Sequence, residues 1–274
     1  MNSIFNANID NHMKNVRPLA AVFLLALWQP LAAQETTAVQ DENWSFLLEP
    51  YLMFPNMDGT TGLGALPDVS VDASPGDIFD KLQIGFMLNA EASKGKWHVG
   101  TDLIYMRLKQ DAEPGLVVAN GEVTAKQFAW EVAGLYSITP WLDVGVGGLL
   151  NSLNVATDIN VNTIGGGTNN RSRELSRTWL DPMLIARTGS KPGSKFIYRF
   201  RGEIGGFGVG SKFAWQLQAT AGYRFSKLFQ LTGGYRFIGL NYEKNNTGEG
   251  ILNNNRFLYD MTTFGPEIRL GFNF

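Results

Sequence analysis

Residues 195–206 read KFIYRFRGEIGG, with apolar and charged side chains in alternation. Aromatic and aliphatic side chains fill one set of alternate positions, while Arg199, Arg201 and Glu203 lie on the other. Successive side chains of a β-strand point to opposite faces, so this period of two predicts a strand. The stretch KFAWQLQATAGYRF at 212–225 repeats the pattern. Because the charges lie near mid-strand, we expect the apolar face to point outward into lipid and the charged face to line a lumen.

The same alternation recurs in ten segments from Asn43 onward. Each segment is long enough to cross the apolar band of a membrane as a tilted strand, which takes about 9–11 residues. The predicted fold is all-β, a single antiparallel up-and-down transmembrane β-barrel of ten strands. Eight strands is the alternative, if parts of 121–157 are misread. The predicted segments are 43–54, 82–94, 97–108, 121–137, 141–157, 177–188, 195–206, 212–225, 228–243 and 256–274.

The N-terminal residues have the order of a secretory signal. Lys14 and Arg17 precede an apolar run at 19–28, and Leu31-Ala32-Ala33 offers a small-residue cleavage site. The run is too short to span a bilayer as a helix. Met13 is an alternative start. The predicted organisation is a signal peptide at 1–33, a short segment at 34–42 and the barrel at 43–274.

Composition narrows the function. The 23 Lys and Arg residues nearly balance 25 Asp and Glu residues, which argues against a nucleic-acid partner. Cysteine is absent, so the chain has no disulfide and no thiolate metal site. We expect neither a cofactor nor a metal. No long apolar run follows Ala33, so a membrane-spanning fold must be built of strands.

The connections between predicted strands alternate between short and long. The long ones are near 55–81, 109–120, 158–176 and 244–255, whereas the short ones contain two to five residues. Outer-membrane barrels have short periplasmic turns and longer extracellular loops, so both chain ends are predicted on the periplasmic side. In the first long loop, Ser74, Pro75 and Asp77 predict the start of a short helix.

Aromatic residues are predicted at both membrane interfaces. One girdle opens the upward strands, and a second belt is predicted near the long loops. The first set is Trp44, Trp97, Trp141, Phe196 and Phe229, and the second is Phe54, Tyr105, Phe128, Trp179, Trp215 and Phe257.

The chain ends with Ile268, Leu270, Phe272 and Phe274 in alternate positions. This end resembles the C-terminal strand signal of bacterial outer-membrane proteins, which the barrel-assembly machinery reads. That signal usually has Gly where Arg269 stands. Taken whole, residues 43–274 resemble the small outer-membrane β-barrel superfamily of the OmpA and OmpW type. The resemblance implies a bacterial outer-membrane protein, exported by a Sec-type signal.

The predicted polar face divides by charge along the chain. The first five strands carry only acids, and the last five supply every arginine. Such charges are costly in a narrow barrel unless they are paired, which leaves two interpretations: an ion-pair network that fills the lumen, or a charged constriction of a narrow pore. The residues are Glu49, Glu91, Asp102, Glu131, Asp143, Asp181, Arg187, Arg199, Arg201, Glu203, Arg224, Arg236, Glu267 and Arg269.

We therefore predict a structural barrel or a low-conductance pore, monomeric and without enzymatic activity. The alternatives are a barrel enzyme acting on lipid A or peptides, and an adhesin that binds through its long loops. Lipid A deacylases and omptin-type proteases would require a histidine near the loops, but His98 follows Trp97 at the periplasmic end. The predicted partners are the bilayer, lipopolysaccharide and the assembly machinery. Arg171, Arg173 and Arg177 are candidates for contact with lipopolysaccharide phosphates.

Overall fold

The alternating segments form strands. The computed structural model describes residues 43–63, 67–111, 118–162, 167–244 and 256–274. The elements of these ranges are β1 (Ser45–Met53), β2 (Asn56–Leu63), β3 (Val69–Ala73), α1 (Pro75–Lys81), β4 (Leu82–Lys94), β5 (Trp97–Asp111), β6 (Val118–Thr139), β7 (Leu142–Asn162), β8 (Thr168–Gly189), β9 (Phe196–Gly205), β10 (Phe213–Arg224), β11 (Phe229–Lys244) and β12 (Phe257–Asn273).

Pairing between the first and last strands closes the sheet into a barrel. β1 pairs antiparallel with the lower part of β12, from Leu47↔Asn273 to Met53↔Glu267. β2 continues along the upper part of β12, so β1 and β2 share one position in the wall. β4 pairs with β1, β3 pairs with β2, and the other strands follow in chain order. The wall has ten strand positions, which confirms the ten-strand prediction over the eight-strand alternative.

The β2–β3 hairpin is absent from the sequence prediction, which treated 55–81 as a loop. The alternation fails here because β2 reads NMDGTTGL, with polar residues and glycine on both faces. Its partner is the upper half of β12, where Phe257 to Phe264 pair with Leu63 to Asn56. The hairpin therefore forms through long-range pairing rather than through a local apolar pattern.

The predicted helix start at Ser74 is confirmed in α1. The Ser74 hydroxyl accepts from the Asp77 N–H, the Asp77 carboxylate accepts from the Ser74 N–H, and Pro75 is the first helical residue. This reciprocal pair satisfies donors that a helix N-terminus would otherwise leave open. Ile78 is buried, and Phe79 lies 5.6 Å from Phe54, measured between ring centroids.

Three strands continue well beyond the segments expected to cross the membrane. β6, β7 and β8 contain 22, 21 and 22 residues, about twice what a crossing needs. The described residues of the predicted loops at 109–120 and 158–176 therefore belong mostly to paired strands. β9 and β10 are shorter, and only residues 206–212 join them. The rim opposite the short turns is consequently uneven.

The two faces of the wall differ as the alternation predicts. On β9, Phe196, Tyr198 and Phe200 are 69%, 45% and 54% exposed, whereas Glu203 on the other face is 5% exposed. Large apolar residues are exposed along the outside of the whole wall, from Trp44 to Phe274. A closed barrel satisfies its backbone hydrogen bonds within the sheet, so this apolar exterior can lie in lipid.

Several predictions fall on residues outside the described ranges. These are the signal peptide at 1–33, the alternative start at Met13, and the segment 34–42. Within the described ranges, no helix is both long and apolar enough to cross a bilayer.

Candidate functional site

Inward-pointing charged residues meet in the half of the lumen nearer the short turns. We call this cluster the lumen network. It is built by the alternation itself, because nine of the ten wall positions place inward charges there and β10 contributes only uncharged amides. Seven carboxylates and five guanidinium groups form it: Glu49, Glu91, Asp102, Glu131, Asp143, Glu203, Glu267, Arg187, Arg199, Arg201, Arg236 and Arg269.

Ion pairs cross the lumen from the arginine-bearing strands to the acidic strands. Arg187 on β8 pairs with Glu91 on β4 and, at 2.9 Å, with Asp143 on β7. From β9, Arg199 lies 3.3 Å from Glu49 on β1, and Arg201 pairs with Glu131 on β6. Arg187 and Asp143 are direct partners on neighbouring strands, whereas the other three pairs join strands that are not neighbours and therefore connect separate parts of the wall across the lumen.

Arg236 holds the centre of the lumen network. Its guanidinium donates to Asp102 at 3.0 Å, to the Tyr51 hydroxyl at 2.9 Å and to the Gln216 amide oxygen at 2.7 Å. The Tyr51 hydroxyl donates to Asp102 at 2.6 Å. The guanidinium of Arg269 lies 4.1 Å from the Tyr51 ring centroid, a cation–π contact between two buried side chains.

Uncharged amides complete the lumen network, and the sequence prediction did not include them. The Gln216 amide donates to Glu131 at 2.9 Å and to Glu203 at 3.2 Å. Gln218 donates to Glu267, and Gln230 donates to Glu49. Among the described residues, no buried side-chain nitrogen or oxygen of the charged members lacks a hydrogen-bond partner. The sequence contained a signal for these glutamines. Gln216 and Gln218 occupy the same set of alternate positions as Arg224, and that set faces the lumen.

Two predicted members of the charge network lie elsewhere. Asp181 is fully buried, but its partners are the Trp179 indole, the Asn151 amide and both the N–H and hydroxyl of Ser211. It anchors the β9–β10 connection instead of pairing with arginine. Arg224 donates to Gln230, at 3.0 and 3.2 Å, near the short-turn rim.

His98 lies inside the lumen at the short-turn end. Its Nδ1 is 2.7 Å from the Ser93 hydroxyl, and its Nε2 is 2.9 Å from the Ser137 hydroxyl. Ser137 donates its hydroxyl proton to Asp143 at 2.6 Å. Nε2 therefore donates to Ser137, and Nδ1 accepts from the Ser93 hydroxyl, so His98 joins a chain of hydrogen bonds from Ser93 to Asp143.

Little open space remains between these side chains. The cavity enclosed by the lumen network has a volume of about 10 Å³. A single water molecule needs about 10–15 Å³ on this measure. The enclosed space is therefore about the size of one water molecule.

An apolar layer lies above the lumen network, toward the long connections. Met53 follows Tyr51 in β1, Ile104 and Met106 follow Asp102 in β5, and Met261 lies above Glu267 in β12. These residues line a separate cavity of about 30 Å³. The lumen thus has two layers, one ion-paired and one rich in methionine.

The second aromatic belt was partly wrong. Trp179 and Phe257 are 6% and 3% exposed and point into the barrel. The Trp179 ring stacks on Tyr242 with centroids 4.1 Å apart, and Tyr259 packs beside it. Phe54, Tyr105, Phe128 and Trp215 are not buried.

The girdle at the short-turn rim lies on the outside. Trp44, Trp97, Trp141 and Phe196 are between 55% and 69% exposed, and Phe229 is half-buried between Phe225 and Phe272. In the terminal strand, Ile268, Leu270 and Phe274 are exposed on the same outer face. The backbone N–H and carbonyl of Phe274 both bond to Phe46, at 2.8 and 3.0 Å.

Comparison with solved structures finds bacterial outer-membrane proteins. The outer membrane protease OmpT from Escherichia coli aligns with 86% of this chain and 97% of its own, at 9% identity and a TM-score of 0.42. The attachment invasion locus protein Ail of Yersinia pestis aligns over 85% and 99%, at 12% identity and 0.32. A FadL homologue from Pseudomonas aeruginosa aligns over 85% and 90%, at 7% identity and 0.35.

No family model matches the sequence, and no curated protein matches it either. The structural likenesses are distant, so the assignment depends on the chain's own features. These are the closed ten-position wall, the apolar exterior, the aromatic girdle and the paired charges inside. Together they show a closed antiparallel β-barrel with an apolar exterior, which is the architecture of outer-membrane barrels.

Proposed function

We propose that the protein is a closed structural barrel whose lumen is filled by the lumen network. The observation that carries this proposal is the central cavity of about 10 Å³ between side chains from opposite walls. A hydrated ion needs a continuous water path, and a cavity of this size holds about one water molecule.

The ion pairs favour a permanent seal over a gate. Removing one partner of a buried ion pair costs about 3–5 kcal/mol, because the other charge is left without compensation. Opening the lumen would separate several such pairs at once. The apolar layer above them adds a second barrier, since a hydrophobic constriction disfavours water.

Planar-bilayer recording of the refolded full-length protein tests the proposal. We expect no steady conductance above the bilayer baseline for the native sequence. Arg199→Glu should lower stability without creating ion selectivity. Steady, salt-dependent steps would contradict the filled lumen and favour a narrow pore. Such a pore should prefer cations, because seven carboxylates face five guanidinium groups.

A second candidate function is binding at the cell surface through the uneven rim. β8 pairs with β9 only from Met183 to Gly189, so in the described structure its upper residues, from Thr168, form a sheet edge on that side. Edge strands offer unpaired backbone groups to an extended partner. Arg171 and Arg173 are exposed on this segment. A binding assay of intact cells with acidic peptides, comparing Arg171→Glu/Arg173→Glu with the native protein, tests this function.

We further propose that the barrel is not an enzyme. The position of His98 supports this, because His98 pairs with Ser93 beside the short turn at 95–96 and lies away from the long connections. Lipid A mass spectra from cells with and without the gene should be identical. A change in lipid A acylation would show that the barrel modifies lipid A and would contradict the proposal. Cleavage of a peptide library by the folded barrel would show protease activity and would contradict it as well.

A further inference from the structure

An apolar groove crosses the outside of the barrel wall between β7 and β11. Its volume is about 390 Å³, which makes it far larger than either cavity inside the lumen. One row of its lining follows direct cross-strand pairs, from Leu142 to Thr188, Phe200, Ala219 and Tyr235.

A second row runs beside the first. It follows the pairs Ala186↔Gly202, Gly202↔Leu217 and Leu217↔Phe237. The small residues Ala186 and Gly202, with Ala219 of the first row, make the floor. Leu217 and Phe237 are 53% and 38% exposed and form the sides. The small floor between large side chains gives the groove its depth.

The groove has the length of one lipid chain. Four strand spacings of about 4.8 Å separate β7 from β11, which gives about 19 Å. One leaflet of a bilayer's hydrocarbon core is about 15 Å thick, half of about 30 Å. Since the wall strands tilt, a path perpendicular to them rises obliquely from the short-turn rim.

The lower end of the groove lies beside a basic rim. Leu142 directly follows Trp141, and it pairs with Thr188, three residues before Lys191. The short turns and the residues that flank them also carry Lys94, Lys96, Lys195 and Lys227, and they contain no aspartate or glutamate. Exposed lysines at an interface attract phosphate groups, and Trp141 is 60% exposed at the depth that headgroups occupy.

We propose that this groove binds one anionic glycerophospholipid of the periplasmic leaflet. One acyl chain lies along the two rows, and the phosphate lies at Lys191. The lipid packs against β8, β9 and β10 on the outside, at the height where Arg187 and Arg201 cross the lumen inside.

Electron paramagnetic resonance of chain-labelled lipids tests this site. The full-length protein is placed in phosphatidylcholine vesicles with spin-labelled phosphatidylglycerol or spin-labelled phosphatidylcholine. We expect a motionally restricted component that favours phosphatidylglycerol by about fivefold, the effect of one lysine near the surface. Lys191→Ala should reduce the preference to that of the remaining lysines.

Filling the groove should lower that preference for phosphatidylglycerol. Ala219→Phe places an aromatic ring in the groove. Ala221→Phe is the matched control, because Ala221 lies two residues further along the same face of β10 and outside the groove. Gly202→Val is a second filling variant, because a Cβ at Gly202 would make only an ordinary 3.5 Å contact with Leu217. Heat-dependent gel mobility checks folding. A lowered phosphatidylglycerol preference in both filling variants and not in the control supports the site, and an unchanged preference in either folded filling variant overturns the proposal.

Discussion

At the residue scale, Arg236 is the side chain on which most of the lumen network converges. It is 5% exposed and donates to three different groups. We predict that Arg236→Ala lowers the free energy of unfolding by about 3–5 kcal/mol, because Asp102 stays buried without its main counter-charge. Urea unfolding in detergent micelles, followed by tryptophan fluorescence, measures this change.

Arg224→Ala is the matched control for that measurement. Its guanidinium reaches only the Gln230 amide, and the side chain is half-buried near the rim. The control should cost about 1 kcal/mol or less. An Arg236→Met/Asp102→Leu double variant should recover most of the loss, since it removes both charges. Equal losses for Arg236→Ala and Arg224→Ala would contradict the central role of Arg236.

A second residue, Asp181, links the barrel core to a strained connection. Its carboxylate accepts from the Ser211 hydroxyl at 2.8 Å and from the Trp179 indole at 3.0 Å. In the same connection, Gly206 has a φ of 82° and Phe207 has a φ of 48°, a region that disfavours side chains. We predict that Asp181→Ala costs about 1–3 kcal/mol, from the donors that it leaves unsatisfied.

Limited proteolysis from outside intact cells measures the local part of this effect. Cleavage within 206–212 should become faster in Asp181→Ala than in the native barrel. Asp158→Ala is the control, because Asp158 is exposed on β7 and accepts from Asn170 at the surface. Unchanged cleavage in Asp181→Ala would show that the connection does not depend on this carboxylate.

The prediction of inward charges used one rule, the alternation of side chains between the two faces of a strand. The same rule could have corrected the second belt. Trp179 shares its parity with Asp181, and Phe257 shares its parity with Glu267, and both acids were placed on the polar face. Aromatic character suggested a membrane interface, but strand parity decides which side a residue faces. Which arginine pairs with which carboxylate across the lumen could not be predicted from the sequence, because these pairs depend on the tilt and register of the closed barrel.

At the element scale, the β2–β3 hairpin shows what alternation cannot supply. Its residues lack a period of two, yet β12 was predicted to run over 256–274, longer than its predicted partner at 43–54. The predicted last strand was therefore longer than the strand it pairs with, and its unpaired length indicated that a further strand was needed. α1 was predictable because its capping residues are local in sequence, whereas the hairpin forms through pairing with a strand 200 residues away.

An ion pair fixes the end of that hairpin. Arg256 donates to Asp68 through both terminal nitrogens, at 2.6 and 3.0 Å, and this bidentate bond holds the pKa of Asp68 below its ordinary value. A lowered folded-state pKa stabilises the hairpin above the ordinary aspartate pKa. The contribution is lost as pH falls through the lowered value.

We therefore predict a pH-dependent difference between native protein and Arg256→Gln. At neutral pH the variant should show faster amide exchange in β2 and β3, and the two proteins should converge in acid. A carbon-13 titration of the Asp68 carboxyl should shift upward in Arg256→Gln. The effect on global stability should be small, because the pair is partly exposed. A difference in exchange that persists in strong acid would exclude the ion pair as its cause.

At the scale of the whole molecule, the barrel combines closure at one seam with struts across the middle. The seam joins β1 to β12, and the backbone of Phe274 adds two hydrogen bonds to Phe46 at its lower end. Arg269 on β12 also pairs with Glu267 and lies 3.7 Å from Glu49 on β1. The last strand therefore contributes both to closing the wall and to filling the lumen.

The side chain of Phe274 has a separate role that assembly experiments can isolate. It is 69% exposed, so Phe274→Ala removes the ring and keeps both backbone bonds to Phe46. We predict that this variant refolds from urea into micelles like the native protein, and that its amount in the outer membrane of cells falls severalfold. Heat-dependent gel mobility of membrane fractions measures the folded amount.

Phe196→Ala is the control for that prediction, because Phe196 is also 69% exposed and begins β9 at the same rim. If the terminal phenylalanine acts as an assembly signal, only Phe274→Ala should lower the amount in cells. Equal losses for the two variants would assign the effect to the aromatic girdle. A refolding defect of Phe274→Ala in micelles would instead place the role of the ring in barrel closure, since no assembly machinery is present there.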